Sequence, residues 1–353
     1  MNRREGLSLM AGSAASLVCS ELPAAAESVR SGRLGLVLYA RRFQREFRKK
    51  QNPGFDLYEP MNFLQHCRDL NSGGMQARLG VRDAAYIAKL RAYAEKHSLF
   101  IDAIVSPPRD KRDLMRFESE IKTAKEAGVL AVRTVVMPGR RYERFGGMDE
   151  FRKYQTRAYA MVELAAPIVE KHRIPLAIEN HKDQRNDERI ALFEHISSEY
   201  VGATVDTGNS FALLEDPIGT IESLAPWAHT VHLKDQALMD YKDGFLLGDI
   251  ALGDGAFDLQ QFVRILRAAK PDIQFVLELI TRDALEVPCF TERYWATLPN
   301  VPGSDLARTM RIVRSNAAAS LVNVSGKSLD EQVRQEDSNV TRSLAYAREQ
   351  LNL

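Results

Sequence analysis

The chain has 353 residues, enough for one large barrel domain with extensions. Its 48 Lys plus Arg against 47 Asp plus Glu leave a formal net charge of +1, which gives no electrostatic case for nucleic acid or an anionic membrane. With 45% hydrophobic residues, a packed core is expected and general disorder is not. Cys19, Cys67 and Cys289 are too scattered for a disulfide framework. The seven histidines are scattered too, so a His-rich multi-zinc site has few ligands to draw on.

The N-terminus follows the order of an export signal. Arg3 and Arg4 precede a weakly apolar stretch from Leu7 to Val18, and small residues lead to Ala24-Ala25-Ala26, where cleavage is expected. The paired arginines point to the twin-arginine route, although Gly6 stands where a bulky apolar residue is common. Val18 before Cys19 argues against a lipid anchor. Residues 1–30 are therefore expected to be signal and leader, sending the protein to the periplasm or outside the cell. The alternative is a cytoplasmic protein with a leader that is no signal. No later stretch is long and apolar enough for stable membrane insertion.

The elements then alternate. Leu34 to Ala40 reads as a strand, the basic run Arg41 to Lys50 as a solvated loop, and Pro60 to Leu70 as a short helix. A weak strand at Gly74 to Leu79 precedes a helix at Asp83 to His97, with Ile87, Leu90 and Ala94 on one face. A strand at Phe100 to Val105 stops at Pro107-Pro108. Asp113 is expected to cap the next helix, whose Leu114, Phe117, Ile121 and Ala124 recur at helical spacing and which Gly128 ends. Val129 to Val136 is a strand, and Asp149 to His172 a long helix, irregular near Pro167. In the second half strands end at or near Glu179, Asp206, His232 and Glu278. Helices are expected at Glu188 to Ser197, Ile218 to Leu224, Leu259 to Ala269 and Asp305 to Ala317.

Eight strand–helix units are what a (β/α)8 TIM barrel requires, and this α/β barrel is assigned to residues 31–318. Gln236 to Asp258 and Arg282 to Gly303 read as long loops on the side where strands end, the side that carries function in such barrels. Residues 319–353 form a C-terminal tail, expected to be a helical extension packed on the barrel or a subunit contact in a homo-oligomer. Leu329, Val333, Val340 and Leu344 are its sparse apolar positions.

Four polar residues close the apolar runs: Glu179 in LAIEN, Asp206 in ATVDTGN, His232 in TVHLKD and Glu278 in FVLEL. Singly, each has a structural explanation, since carboxylates after strands commonly cap the next helix and a strand-end His is commonly just hydrogen-bonded. Four successive units with an acid or imidazole at the same point fit a metal site better. Capping explains Glu278 poorly, because Leu279 and Ile280 follow it, and a buried Glu there is costly unless paired or metal-bound. Three carboxylates and one imidazole form an oxygen-rich set favouring Mn²⁺ or Mg²⁺, with Co²⁺ or Zn²⁺ compatible. Such a metal leaves room for two substrate oxygens, polarises a carbonyl and stabilises the enediolate formed when a neighbouring C–H loses its proton. Glu179 and Glu278, placed on opposite arcs, are the expected base and acid.

These residues resemble the sugar isomerase and epimerase superfamily with the xylose isomerase-like TIM barrel. The likeness runs from about Leu34 to Arg314 and is densest from Ile174 to Glu278. Glu179-Asn180-His181, Asp206-Thr207-Gly208-Asn209, His232-Leu233-Lys234-Asp235, the Gly253-Asp254-Gly255 stretch and Glu278 look like its successive motifs. The resemblance implies that Glu179, Asp206, His232 and Glu278 bind one divalent metal. It also implies that the two glutamates exchange protons with substrate in 3-epimerisation or aldose–ketose isomerisation. The chain departs from the ketose 3-epimerases at Asn209, where they tend to carry His, and at Leu238, where they tend to carry Arg. Both family residues touch substrate, so the substrate stays open.

Further substrate-contact candidates are His181, Asn209, Lys182, Lys234 and Arg133. The structural alternatives are surface lysines paired with Asp183 or Asp235, and an ion pair for Arg133. Trp227 and Trp295 read as packing, and Asp254 as a turn former. The expected function is a metal-dependent isomerase or epimerase of a sugar or keto-sugar. The rival is a lyase or dehydratase on a keto-sugar, keto-glycoside or keto-inositol with the same site. An endonuclease IV-like hydrolase would need more metal-binding histidines and a basic face, and a non-catalytic sugar binder would need neither glutamate.

Overall fold

The computed structural model describes residues 32–353, so the expected export signal, with Arg3, Arg4 and Cys19, lies outside the described residues. Eight parallel strands close into a barrel. They are β1 (Gly35–Val37), β2 (Gly74–Ala77), β3 (Phe100–Ile104), β4 (Val132–Thr134), β5 (Leu176–Glu179), β6 (Val201–Asp206), β7 (Ala228–Leu233) and, after a hairpin, β10 (Phe275–Leu277). Around the barrel the order is β1-β10-β7-β6-β5-β4-β3-β2. Every strand follows a short run of branched or small apolar residues, and nearly every strand residue is buried, as parallel strands covered by helices must be. The barrel is the (β/α)8 fold expected. Several strands are shorter than the apolar runs that mark them: Val129 to Val136 contributes only three residues, because the ladder ends where the chain turns to the rim.

The barrel interior is partly polar. Gln76 and His232, and Asp102 and Thr230, hydrogen-bond across it at 2.7 Å each. Outside, the helices bury the stripes read from the sequence, such as Ile87, Leu90 and Ala94 of Ala84–Lys96. Gly128, with φ +76°, turns the chain out of the helix Leu114–Glu126. Pro167 lies inside the helix Met148–His172 without ending it.

Four local expectations are corrected. The basic run after Arg41 is a helix, Arg42–Gln51, not a loop. Phe43 is its one buried residue, too narrow a stripe to read, and its start is capped from far away: the Glu336 carboxylate accepts from the amides of Phe43 and Gln44, both at 2.9 Å. Asp113 does not cap the next helix. Its carboxylate is drawn to Arg116 at 2.7 Å and to the Arg109 amide, while Asp110 caps a short turn before it. The stretch after β7 is not a loop but a hairpin, β8 (Asp235–Tyr241) and β9 (Gly244–Ile250), joined by β11 (Leu285–Val287) into a three-stranded antiparallel sheet. Asp243-Gly244 at its tip is a hairpin signal. The second long connection, besides β11, contains the short helix Glu292–Trp295.

This extra sheet has its own core of Phe211, Phe245, Leu247 and Val287. The tail folds as a helix, Leu329–Gln350, started by a Ser328–Glu331 capping box. Val340, Leu344 and Ala347 join the main barrel core. No described helix is long and apolar enough to cross a membrane.

Candidate metal centre

Four neighbouring strands deliver the expected cluster. Glu179 and Asp206 are the last residues of β5 and β6, His232 stands opposite Asp206 in β7, and Glu278 follows β10. Their ligand atoms all lie within 4.8 Å of one another. The Nδ1 of His232 is 3.4 Å from Glu278 Oε2, 3.5 Å from Glu179 Oε2 and 3.8 Å from Asp206 Oδ2. Glu179 and Glu278 stand three strands apart around the barrel, not on opposite arcs, because the cluster needs adjacent strands.

The imidazole reveals what the cluster lacks. Its Nε2 meets the side-chain oxygen of Gln76 at 2.7 Å, so Nε2 carries the proton and donates. In the neutral ring Nδ1 is then a lone pair facing carboxylate oxygens, and it has no hydrogen-bond partner of acceptable geometry. Asp206 Oδ2 makes no hydrogen bond of acceptable geometry either, although the Lys234 ammonium stands 3.0 Å away as an ion-pair partner. Acceptors aimed at acceptors in a buried site need a cation or a proton between them. The donor set and the unpartnered Nδ1 fit a divalent metal.

Asp206 serves two ends. Its Oδ1 accepts from the amides of Gly208 (2.9 Å) and Asn209 (2.7 Å), the turn role expected of Asp before Thr-Gly-Asn. Its Oδ2 points into the cluster. Asn180 fixes the strand end by pairing with the backbone of Asp206 on both sides, at 2.7 and 2.9 Å.

Cations surround the carboxylates. Arg133 binds Glu179 Oε2 through Nε at 2.6 Å and through a second guanidinium nitrogen, while Asn209 donates to Glu179 Oε1 at 2.9 Å. Lys234 sits 2.7 Å from Glu278 Oε2 and 3.0 Å from Asp206 Oδ2. Lys182 donates to the Asn209 side-chain oxygen. Neither lysine is a surface residue, and neither pairs with Asp183 or Asp235. Asp183 is held by Arg189 and Tyr154, and Asp235 by backbone amides.

These fields set the protonation states. Burial would raise Glu278, but Lys234 and His232 hold it well below the usual carboxylate range. Burial would also raise Glu179, but Arg133, His232 and His181 together outweigh it, so this carboxyl is lowered too. Burial pushes Asp206 up to about 7 despite Lys234, with the other two acids adding to the rise. Burial would lower His232, yet Glu278 and Glu179 raise it. Burial, with Lys234 beside it, brings Lys182 down to about 8.

The cluster opens on a cleft of about 490 Å³ at the strand ends. Arg133, His181, Lys182, Asn209, Lys234 and Glu278 line it, so the candidate contact residues are brought together. Of the four cluster residues, Glu278 borders the cleft and Glu179 is completely buried. His181 Nδ1 donates to the Gly139 carbonyl at 3.2 Å. Trp227 stacks near Phe193, and Trp295 packs on Tyr294, both partly buried against the hydrophobic cores. Asp254 pairs with Arg342 at the rim. The turn there is shaped by Asp235, which accepts from the amides of Gln236, Gly253, Gly255 and Phe257.

Sequence reading missed Gln76, Asp102, Asp249 and Arg282. Gln76 and Asp102 lie in short strands, where a polar residue inside an apolar run is the only available sign. Asp249 reaches the site on β9, where it accepts from Gln236 at 2.8 Å and pairs with Arg282 at 3.2 Å.

The profile of the xylose isomerase-like TIM barrel family matches residues 64–300. Among curated proteins, the 3-oxo-isoapionate decarboxylase of Pectobacterium atrosepticum is 28% identical over 145 residues. That stretch is 40% of this chain and 53% of the relative, so the chain spans about half the length of the curated protein it matches. Among solved structures, the 3-keto-D-glucoside 4-epimerase of E. coli superposes with TM-score 0.52 at 11% identity, covering 80% of this chain and 99% of that one. The D-psicose 3-epimerase of Clostridium cellulolyticum gives TM-score 0.51 at 12% identity, covering 73% and 95%. At these identities the structural likeness is one of fold.

Proposed function

The chain belongs to the xylose isomerase-like TIM barrel family, and from that premise we propose that it is a divalent-metal-dependent enzyme moving protons on carbon next to a carbonyl of a sugar or keto-sugar. The observation that carries the reading is His232 Nδ1, placed among three carboxylates at 3.4 to 3.8 Å with no hydrogen-bond partner. Glu179, Asp206, His232 and Glu278 would hold the ion, with Mn²⁺ the favoured metal for this oxygen-rich set. When bound, the metal polarises the substrate carbonyl and offsets the charge that builds on its oxygen.

The remaining work falls to the chain. Glu278, bordering the cleft and kept ionised by Lys234 and His232, takes the proton from carbon. Lys234, against Glu278, supplies a positive charge beside the oxygen that becomes electron-rich. The β8–β9–β11 sheet supports the rim through Asp249 and Arg282. Glu179 is poorly suited to be the partner acid on the other face, because Arg133 and Asn209 bind its carboxylate and its pKa is lowered.

That last point supports a second reading, a lyase. Isomerisation returns the proton to a neighbouring atom and 3-epimerisation returns it to the opposite face. Loss of water from a keto-sugar, or of carbon dioxide from a keto-sugar acid followed by protonation of the enolate, is served by one proton carrier, and Glu278 alone faces the cleft among the four. The partial similarity to a decarboxylase agrees with this reading. Product mass separates the two, since isomers conserve it and a lyase does not.

The test is solvent deuterium incorporation. Metal-loaded protein is offered ketoses, keto-inositols and 3-keto-glycosides in D₂O. Deuterium at the carbon next to the carbonyl is expected, abolished by chelation and restored by Mn²⁺. Turnover that survives exhaustive chelation, with metal absence verified, would refute the metal mechanism.

A further inference from the structure

Lys182 is 5% exposed, and it lines the cleft. Its ammonium donates to the Asn209 side-chain oxygen, a neutral acceptor that it shares with Lys234 at 3.3 Å. Among the described residues no carboxylate stands within ion-pair distance of Lys182, whereas Lys234 has two. An ammonium buried with no carboxylate in contact, only Asp206 and Asp249 acting from farther off, and with a second ammonium beside it, is expensive to maintain. Such a group is kept where an anion arrives to meet it.

The rest of the cleft has the same sign. Arg42 and Arg78 line it with no ion pair among the described residues, Arg140 and Arg282 line it while paired with Glu143 and Asp249, and Glu278 is the single acid lining it and is engaged by Lys234. Inside the site, Arg133, Lys182 and Lys234 face the carboxylates of Glu179, Asp206 and Glu278. A bound dication therefore leaves a positive excess, which an anionic ligand would neutralise.

The anion is not held as TIM barrels commonly hold phosphate, on backbone amides of the loops after the last strands. Here the amides of Gly253, Gly255 and Phe257 are filled by the chain's own Asp235 carboxylate, at 3.0 to 3.3 Å. What remains is a side-chain clamp one Asn209 side chain away from Glu179, whose other amide contact reaches that carboxylate at 2.9 Å.

We infer that the substrate carries a carboxylate, and that Lys182, with Lys234 beside it, is the clamp that receives it. The inference rests on the reading of this cleft as the active site. It narrows the substrate class to keto-sugar acids, with a carbonyl at the four-residue cluster and a carboxylate at the lysines.

Matched probes test it. Binding of 2-keto-D-gluconate, D-fructose and D-fructose 6-phosphate is measured by titration calorimetry to wild type, Lys182→Met and Lys182→Arg, each metal-free and Mn²⁺-loaded. The expected result is a preference of about tenfold or more for the acid over fructose, weakened by salt, lost in Lys182→Met and partly kept in Lys182→Arg. Ligand-free Lys182→Met should also unfold at or above the wild-type temperature, because the unpaired buried charge is gone. The inference is overturned if the acid shows no preference, including no binding of either sugar. A stronger preference for the phosphate ester, or an unchanged preference in Lys182→Met, overturns it too, as does melting of that variant well below wild type. An acid preference in metal-free protein stands even if turnover proves metal-independent, so the two readings fail separately.

Discussion

Gln76 decides which imidazole nitrogen of His232 faces the cluster, and replacing it tests the metal site without touching a ligand. In Gln76→Met the shape is nearly kept, but the acceptor 2.7 Å from Nε2 is removed. A buried N–H left unsatisfied costs ~1–3 kcal/mol. The imidazole avoids that cost by moving its proton to Nδ1, where carboxylate oxygens wait at 3.4, 3.5 and 3.8 Å. Metal-free stability should then fall little. Metal binding must drive the proton back to Nε2 and pay the unsatisfied bond, so Mn²⁺ affinity should weaken by about 10- to 100-fold, the range seen when partners of metal-bound histidines are removed. Titration calorimetry of Mn²⁺ into both proteins, with melting curves of the metal-free forms, reads both quantities. Equal Mn²⁺ affinity in the two proteins would refute the assignment of Nδ1 as ligand and of Gln76 as the group that orients it.

Glu278→Gln should cut turnover on the order of 10²- to 10⁴-fold with the fold retained by circular dichroism; full activity would remove Glu278 from the mechanism. Burial pushes the Glu336 carboxyl up to about 7, against the pull of Arg41. Its folded pKa lies above the unfolded one, so its contribution to stability is complete below the unfolded value and is lost as pH rises through about 7. Glu336→Gln should therefore gain on wild type between pH 5 and 8, by at most ~3 kcal/mol, and a pH-independent difference in denaturation midpoints would rule this out. In Gly255→Ala the new Cβ would stand 2.1 Å from Asp235 Oδ1, so the turn must open at a cost of ~1–3 kcal/mol. An unchanged urea midpoint would show that Asp235 does not organise that turn.

The barrel was legible because its signals are local and repeated. Each apolar run is the length of a buried strand, and each is followed by a helical stripe or a turn residue, so alternation alone implied eight units. The four cluster residues were legible for the same reason: strand ends in parallel barrels converge, and strand ends can be read from where an apolar run stops. Hairpin β8–β9 was missed although Asp243-Gly244 marks its tip, because its strands were read as a functional loop. The helix Arg42–Gln51 was missed because its decisive contact comes from Glu336, nearly the whole chain away.

By itself, then, the sequence determined the alternation, the barrel and the residues at four strand ends, since these follow from runs of neighbouring residues. It did not determine what those residues meet. Arg133 locking Glu179, Gln76 orienting His232, Asp235 filling the glycine turn and Lys182 left without a carboxylate are contacts between distant segments. Such contacts depend on which strands lie side by side and which side chains share a cavity. Only closure of the barrel sets both.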